Sequence, residues 1–297
     1  MMDQANRLRE LMRQQSVENE YQGQEQKSVM VSRVIAVASG KGGVGKSNFA
    51  TNLAIHMRKL GKRVVIIDAD FGLANVEILL GVAPKHSVSD VLNGKINMDE
   101  ALTTGPLGVM FLSGGTGLSA LNELTDSQLL RLTDGFLQLD SLTDCIIIDT
   151  RAGLSNAVIN FIKAAADTIV VVTPDPTAIA DAYALIKSVK SAMPDVSELK
   201  MVINCSVSDA EANEVFEKLS GVSRRFLGIK LSLLGSIPYD TSLIRAVRKQ
   251  QPVSIMFPHA ESSVRFRNIC AKILQMEVEK KGSIQNFVLK LIGRFGK

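Results

Sequence analysis

The chain has 297 residues, 46% hydrophobic and 22% charged, which excludes a disordered chain and allows one large α/β domain or two small ones. Its net charge of +4 is unevenly spread: residues 1–28 carry 4 basic and 5 acidic side chains, residues 29–276 carry 25 and 23, and the last 21 carry 5 and 2. The three cysteines, Cys145, Cys205 and Cys270, lie too far apart for a disulfide scaffold, a zinc ribbon or a paired-cysteine cluster site. No stretch approaches the roughly 20 apolar residues of a membrane span. The opening MMDQANRLRE has no signal-peptide core, so a cytoplasmic chain is expected.

In chain order, Ala5, Leu8, Leu11 and Met12 have helical apolar spacing, and the Gln- and Glu-rich stretch at 13–28 reads as a tether. Short apolar runs rich in Val and Ile then alternate with helical patterns. They lie at Val34–Ala38, Val64–Asp68, Cys145–Asp149, Thr168–Thr173, Leu199–Asn204 and Leu233–Ile237. Runs of this kind suit strands buried on both faces, so the spacing predicts an α/β fold with a mostly parallel, doubly wound sheet flanked by helices. Cys145 and Cys205, at the ends of two such runs, are expected to be buried as small hydrophobes. The expected organisation is a helix at 1–12, a linker at 13–28, a domain at 29–276 and a basic tail at 277–297.

The strongest signal follows the first strand. Gly40-Lys41-Gly42-Gly43-Val44-Gly45-Lys46-Ser47 fits GxxxxGK[ST] and runs into a helix from Asn48. Glycines let backbone N–H groups curl around a β-phosphate, and the helix N-terminus adds partial positive charge. Lys46 is suited to the β- and γ-phosphates and the Ser47 hydroxyl to Mg2+. The second run ends in Asp68-Ala69-Asp70, where ligands bind in open α/β sheets. There Asp68 is placed to approach a hydrated Mg2+ and Asp70 to orient an attacking water. The run Ile146–Asp149 ends in an acid of the Walker B type, Asp149, suited to hold Mg2+ through water.

With Lys41, the loop reads KGGVGK[ST] in full, and here the sequence resembles the MinD/ParA family of P-loop ATPases. The resemblance covers 33–276 for the shared domain. It implies an ATP- and Mg2+-dependent ATPase whose dimer forms with ATP, with Lys41 crossing the interface to the partner's nucleotide and contributing to catalysis with Lys46 and Asp70. It gives Asn75 a place near the dimer face. It also puts Asn204 and the Pro238–Asp240 loop, with Pro238 and Asp240 themselves, beside the adenine. An amide pairs with an adenine edge as donor and acceptor, which suits Asn204, although a strand-end turn residue would look the same. The family usually has DTGAG or DSPAG where this chain has Asp149-Thr150-Arg151-Ala152-Gly153. Arg151 therefore departs from the pattern, either crowding the loop and lowering hydrolysis or adding charge near the γ-phosphate.

The two ends point to a subfamily. Ile284, Phe287, Val288, Leu291, Ile292 and Phe295 form one apolar stripe at helical spacing, with Lys290, Arg294 and Lys297 towards the other side. Such a helix suits an anionic membrane surface, weakly for one copy and more strongly for two; a terminal helix docked on the domain has the same pattern. Asp3, Gln4, Ala5, Leu8 and Arg9 resemble the N-terminal element of the FlhG-type flagellar-number regulators of this family. That resemblance implies action on a flagellar SRP-type GTPase, with flagellar switch or C-ring proteins or a flagellar transcription regulator as further partners, at the inner face of the cell membrane. Two alternatives stay open. One is a MinD-type division-site regulator. The other is a ParA-type partition ATPase binding nucleic acid through Arg224, Arg225, Lys230, Arg245, Arg248 and Lys249, disfavoured because acids nearly cancel the domain's charge. An iron–sulfur carrier is disfavoured by the cysteine spacing.

Overall fold

The computed structural model describes residues 32–70, 75–114 and 125–275, with Phe287, Val288 and Lys290. The expected N-terminal helix and linker, and most of the tail stripe, lie outside the described residues.

Strand β1 (Arg33–Ala38) leads into α1 (Lys46–Lys59), then β2 (Val64–Ala69), α2 (Asn75–Leu80), α3 (Val88–Leu92), α4 (Met98–Ala101), β3 (Thr103–Thr104) and β4 (Met110–Leu112). Helix α5 (Asp126–Leu142), β5 (Cys145–Thr150), α6 (Asn156–Ala164), β6 (Asp167–Val172), α7 (Pro176–Ala192) and β7 (Glu198–Ser206) follow. The described domain finishes with α8 (Asp209–Leu227), β8 (Lys230–Pro238), α9 (Thr241–Arg248), α10 (Val253–Met256) and α11 (Glu261–Gln275). The sheet order is β3-β4-β2-β5-β1-β6-β7-β8, with every pairing parallel except β3 against β4. Strands up to β5 lie on one side of β1 and β6 to β8 on the other. The winding thus reverses at β1, and the loops at its C-terminal end diverge into a crevice.

Burial explains why the strands read as continuous apolar runs. Every residue of β1, β2 and β5 is buried. Side chains alternate between two cores, as the pleat requires. Val64, Ile66, Cys145 and Ile147 face one core, with Phe49 and Leu53 of α1. Val65, Ile67, Ile146 and Ile148 face the other, with Leu92, Phe136 and Leu139 from α3 and α5. Helix α7 starts where the sequence offers Asp175-Pro176: the Asp175 carboxylate accepts from the Thr177 and Ala178 N–H groups, and proline takes the first helical position.

Two features differ from the sequence reading. Strands β3 and β4 were not expected, because two or three residues are too few to show a period; β4 is a strand because β2 pairs with it. Cys145 and Cys270 are buried, but Cys205 is exposed. Its φ of 58° and the register shift between Asn204 and Ser206 turn it out of the strand.

His56 on α1 is 5% exposed, and its Nε2 has no partner. Burial, with the charges of Lys59 and Arg267, lowers its pKa from 6.5 to about 4 against an opposing hydrogen bond at the Ser263 backbone. A depressed histidine pKa means the unfolded state binds the proton first. This contribution to stability is therefore complete above pH 6.5 and is lost as pH falls towards 4. The His56 share is read by difference: between pH 7 and 4.5 the urea midpoint of His56→Gln should gain on that of the parent, because the variant lacks this acid-side loss.

Candidate nucleotide site

The sheet register builds the site. Val37 pairs with Asp149, and Asp149 pairs with Asp68, so the loop after β1 and the acids ending β2 and β5 open into one crevice. Lys46, in the first turn of α1, points back under that loop. Its Nζ lies 2.6 Å from Asp149 Oδ1, with the two side chains 7% and 0% exposed. The other oxygen, Asp149 Oδ2, is buried without a partner.

Asp68 is also buried. Its carboxylate accepts from the Asp70 and Val76 N–H groups, both at 3.1 Å, so it ties the end of β2 to the start of α2. Burial and the adjacent Asp149 push its pKa up to about 7, against those two hydrogen bonds and Lys46. Asp70 is also raised, chiefly by burial, with Lys46 and Arg151 opposing.

Two glycines let the loop seat tightly. A Cβ on Gly40 would lie 2.2 Å from the Asp181 carbonyl oxygen of α7. Gly45 has φ of 87°, and a Cβ there would lie 2.2 Å from Asn204 Nδ2. Asn204 donates through Nδ2 to the Val44 carbonyl at 2.7 Å, which puts it under the loop; its Oδ1 is buried and unpaired. Pro238 ends β8. The Asp240 carboxylate caps α9 through the Ser242 N–H and accepts from the N–H and hydroxyl of Ser262. Gly42, Gly43 and Ser47 complete the loop, and Asn48 follows in α1, while Asn75 opens α2.

Lys41 leaves the loop towards its own chain. Its Nζ donates to the Thr177 hydroxyl and lies 3.5 Å from Asp175 Oδ1, at the start of α7. Asp175 is held well below the usual carboxylate range, at about 2, mainly by the Thr177 hydroxyl and the α7 N–H groups. Nothing in the sequence pattern marks Asp175 or Thr177 for a role beyond opening a helix. The Asp-Pro-Thr helix start was visible, but its partner lies more than a hundred residues away in sequence.

The donors fit a magnesium ion held jointly with phosphate. Mg2+ takes one or two carboxylates and completes its octahedron with water and phosphate oxygens. Here Asp68 and Asp149 lie side by side in register, Asp149 keeps an orphaned carboxylate oxygen, and Ser47 follows Lys46 in the first turn of α1; no cage of three or more acidic, histidine or cysteine side chains exists among the described residues. The same logic fits an adenine amine to the unpaired Asn204 Oδ1.

The tail residues that the structure describes are docked on the domain. Phe287 and Val288 are each 1% exposed within the second core. The Phe287 ring meets Phe136 of α5 edge-on at 5.7 Å and lies nearly parallel to Phe161 of α6 at 6.5 Å. Lys290 is exposed. Ile284, Leu291, Ile292, Arg294 and Phe295, and the N-terminal Asp3, Gln4, Ala5, Leu8 and Arg9, lie outside the described residues. No described helix is long and apolar enough to cross a membrane.

A family model described as ParA, NUBPL iron-transfer P-loop NTPase, matches residues 30–274. The chain belongs to the ParA/MinD family of P-loop NTPases. Among its relatives is the antiactivator FleN of Pseudomonas aeruginosa, 37% identical over 88% of this chain and 93% of FleN. Another is the flagellum site-determining protein YlxH of Helicobacter pylori, 32% identical over 89% and 91%. The fold is that of the cell division ATPase MinD of Pyrococcus furiosus, with a TM-score of 0.67 at 23% identity over 83% of this chain and all of that one. The family's members are ATPases, which agrees with a phosphate loop seated beside two buried acids.

Proposed function

We propose that this protein is an ATP-switched, membrane-associating regulator of flagellar number and placement. The observation that carries the reading is similarity over 88% and 89% of this chain to the antiactivator FleN and to the flagellum site-determining protein YlxH. The first name favours an activator as one partner. The N-terminal element, by its resemblance, favours the flagellar SRP-type GTPase as another. The proposed division of the chain is a partner-binding helix at 1–12, a linker at 13–28, the ATPase domain at 29–276 and a membrane-targeting helix at 277–297. Its place is the cytoplasm, peripherally on the inner face of the cell membrane.

In this reading the loop Gly40–Ser47 cradles the phosphates and Lys46 turns from Asp149 to the β- and γ-phosphate oxygens. Ser47, Asp68 and Asp149 hold Mg2+, which when bound neutralises phosphate charge. Asp70 orients a water whose oxygen bonds to the γ-phosphorus as the bond to the β-bridging oxygen breaks, giving ADP and phosphate. Asn204 and the Pro238–Asp240 loop border the adenine.

Lys41 and Asn75 would serve the dimer face. The contact of Lys41 with Asp175 and Thr177 is half exposed and so weakly held, and it is released when a partner's nucleotide offers stronger charge. Phe287 and Val288, buried against α5 and α6, describe a docked tail, and dimerisation would present two released tails to the membrane. The test is size-exclusion chromatography with ATP and with ADP, beside liposome co-sedimentation. A dimer that pellets with anionic liposomes only with ATP, and Lys41→Ala that stays monomeric, are expected. A monomer in every nucleotide state would remove the switch. Phe136→Ala, which takes away the ring that Phe287 meets edge-on, should raise co-sedimentation with ADP; unchanged pelleting would separate docking from membrane binding.

The division-site reading shares all of this chemistry and differs in partner, so a pull-down with the N-terminal peptide separates the two. The nucleic-acid reading gains little. Lys230 lies 3.7 Å from Glu198, and Arg225 and Arg245 lie over their own neighbours Phe226 and Phe257.

A further inference from the structure

Arg151 stands where the family pattern has glycine or proline, and the structure gives its side chain a partner. Its Nε lies 3.9 Å from Asp70 Oδ1, joining the loop after β5 to the end of β2. Among the described residues this is the ion pair made by either group. The backbone that carries Arg151 is pinned on both sides. The Thr150 hydroxyl donates to the Val37 carbonyl at 3.0 Å and lies 3.2 Å from the Arg151 carbonyl, and the Gly153 N–H donates to the Ser39 carbonyl at 2.9 Å. The side chains differ in exposure: Asp70 is 12% exposed and Arg151 67%. A held backbone thus aims a solvated guanidinium at a largely buried carboxylate.

We propose that Arg151 is a positioning residue that restrains hydrolysis by pairing with Asp70. The inference rests on the water-orienting role given to Asp70 under the proposed function. A carboxylate orients water through its charged lone pairs, and a guanidinium 3.9 Å away, beyond hydrogen-bond distance, opposes this by drawing on the same charge through space. The pair also ties the two loops that flank the γ-phosphate position, so Asp70 must part from Arg151 before it engages water fully. An exposed, monodentate contact of this length is weak. It therefore slows turnover without stopping it, and salt loosens it. ATP binding, which rests on the Gly40–Ser47 loop and Lys46, is left alone.

The experiment compares the full chain with Arg151→Gly, Arg151→Lys, Asp70→Asn and the Arg151→Gly/Asp70→Asn double variant, with ATP and Mg2+. Arg151→Gly should raise kcat roughly two- to fivefold, the range of an exposed ion pair, with KM unchanged. Arg151→Lys should return kcat towards the parent. Asp70→Asn should lose turnover, and adding Arg151→Gly to it should restore none. A readout without nucleotide accompanies these rates. Amide hydrogen exchange in the peptide spanning 150–153 should rise to the same extent in Arg151→Gly and Asp70→Asn, and no further in the double variant. Two results overturn the brake: a kcat that stays equal or falls in Arg151→Gly while Asp70→Asn is inactive, or exchange at 150–153 that ignores Asp70. Full turnover in Asp70→Asn overturns the underlying role of Asp70, and the brake with it, and is distinguishable from failure of the brake alone.

Discussion

Replacing Lys46 with alanine should cost the nucleotide-free protein about 3–5 kcal/mol of stability, and nucleotide binding should be lost with it. The large cost comes from what is left behind. Asp149 is 0% exposed and already has one unpaired oxygen, so removing Lys46 strands a buried carboxylate with no nearby cation in contact. Burying an ion without a partner is among the most costly changes a fold can suffer. The double variant Lys46→Ala/Asp149→Ala removes both charges and should recover much of the stability but none of the binding. Urea unfolding measures the first quantity and titration with a fluorescent ATP analogue the second. A Lys46→Ala protein as stable as its parent would mean that the 2.6 Å pair carries no weight in the fold.

Asp70→Asn should separate binding from chemistry. Asparagine keeps the size and the hydrogen-bonding reach of the side chain but removes the charge that attracts and orients water. Turnover should fall roughly a hundredfold or more, while affinity for ATP with Mg2+ holds, because the loop, Lys46, Asp68 and Asp149 are untouched. The dimer should accumulate with ATP in chromatography, since the step that resets it is slowed. Asp68→Asn gives the contrast. Its carboxylate accepts the Asp70 and Val76 N–H groups, so that change should disturb the β2 end itself and weaken Mg2+-dependent binding.

Much of this site was legible in the sequence because its parts are local. A glycine-rich loop between an apolar run and a helix, and acids at the ends of two such runs, announce themselves within a few residues. The same alternation of apolar runs and helical patterns implied the parallel sheet. What was not legible depends on contacts distant in sequence. The strand Met110–Leu112 exists through its pairing with β2. Cys205 looked like the buried end of a strand, and a shift in register turned it outward. Asp175 and Thr177 open α7, and only the fold brings Lys41 to them. Arg151 stood out as a departure from the family's pattern, but its partner Asp70 emerges only when β5 lies beside β2.

The tail shows the division most clearly. An apolar stripe with lysines and arginines opposite it is fixed by composition and helical period alone, and that pattern serves a membrane and a protein surface equally well. Sequence therefore determined that this protein has a loop of the GxxxxGK[ST] form, acids at the ends of two apolar runs, a near-neutral domain and a basic end carrying an apolar stripe at helical spacing. The tertiary structure decided where Phe287 and Val288 of that stripe go. Phe136 and Phe161, on two helices that are separate in sequence, make a site for the Phe287 ring, so that ring is removed from water on the domain itself. Burial of apolar surface is non-directional, and only the packed fold specifies which surface accepts it.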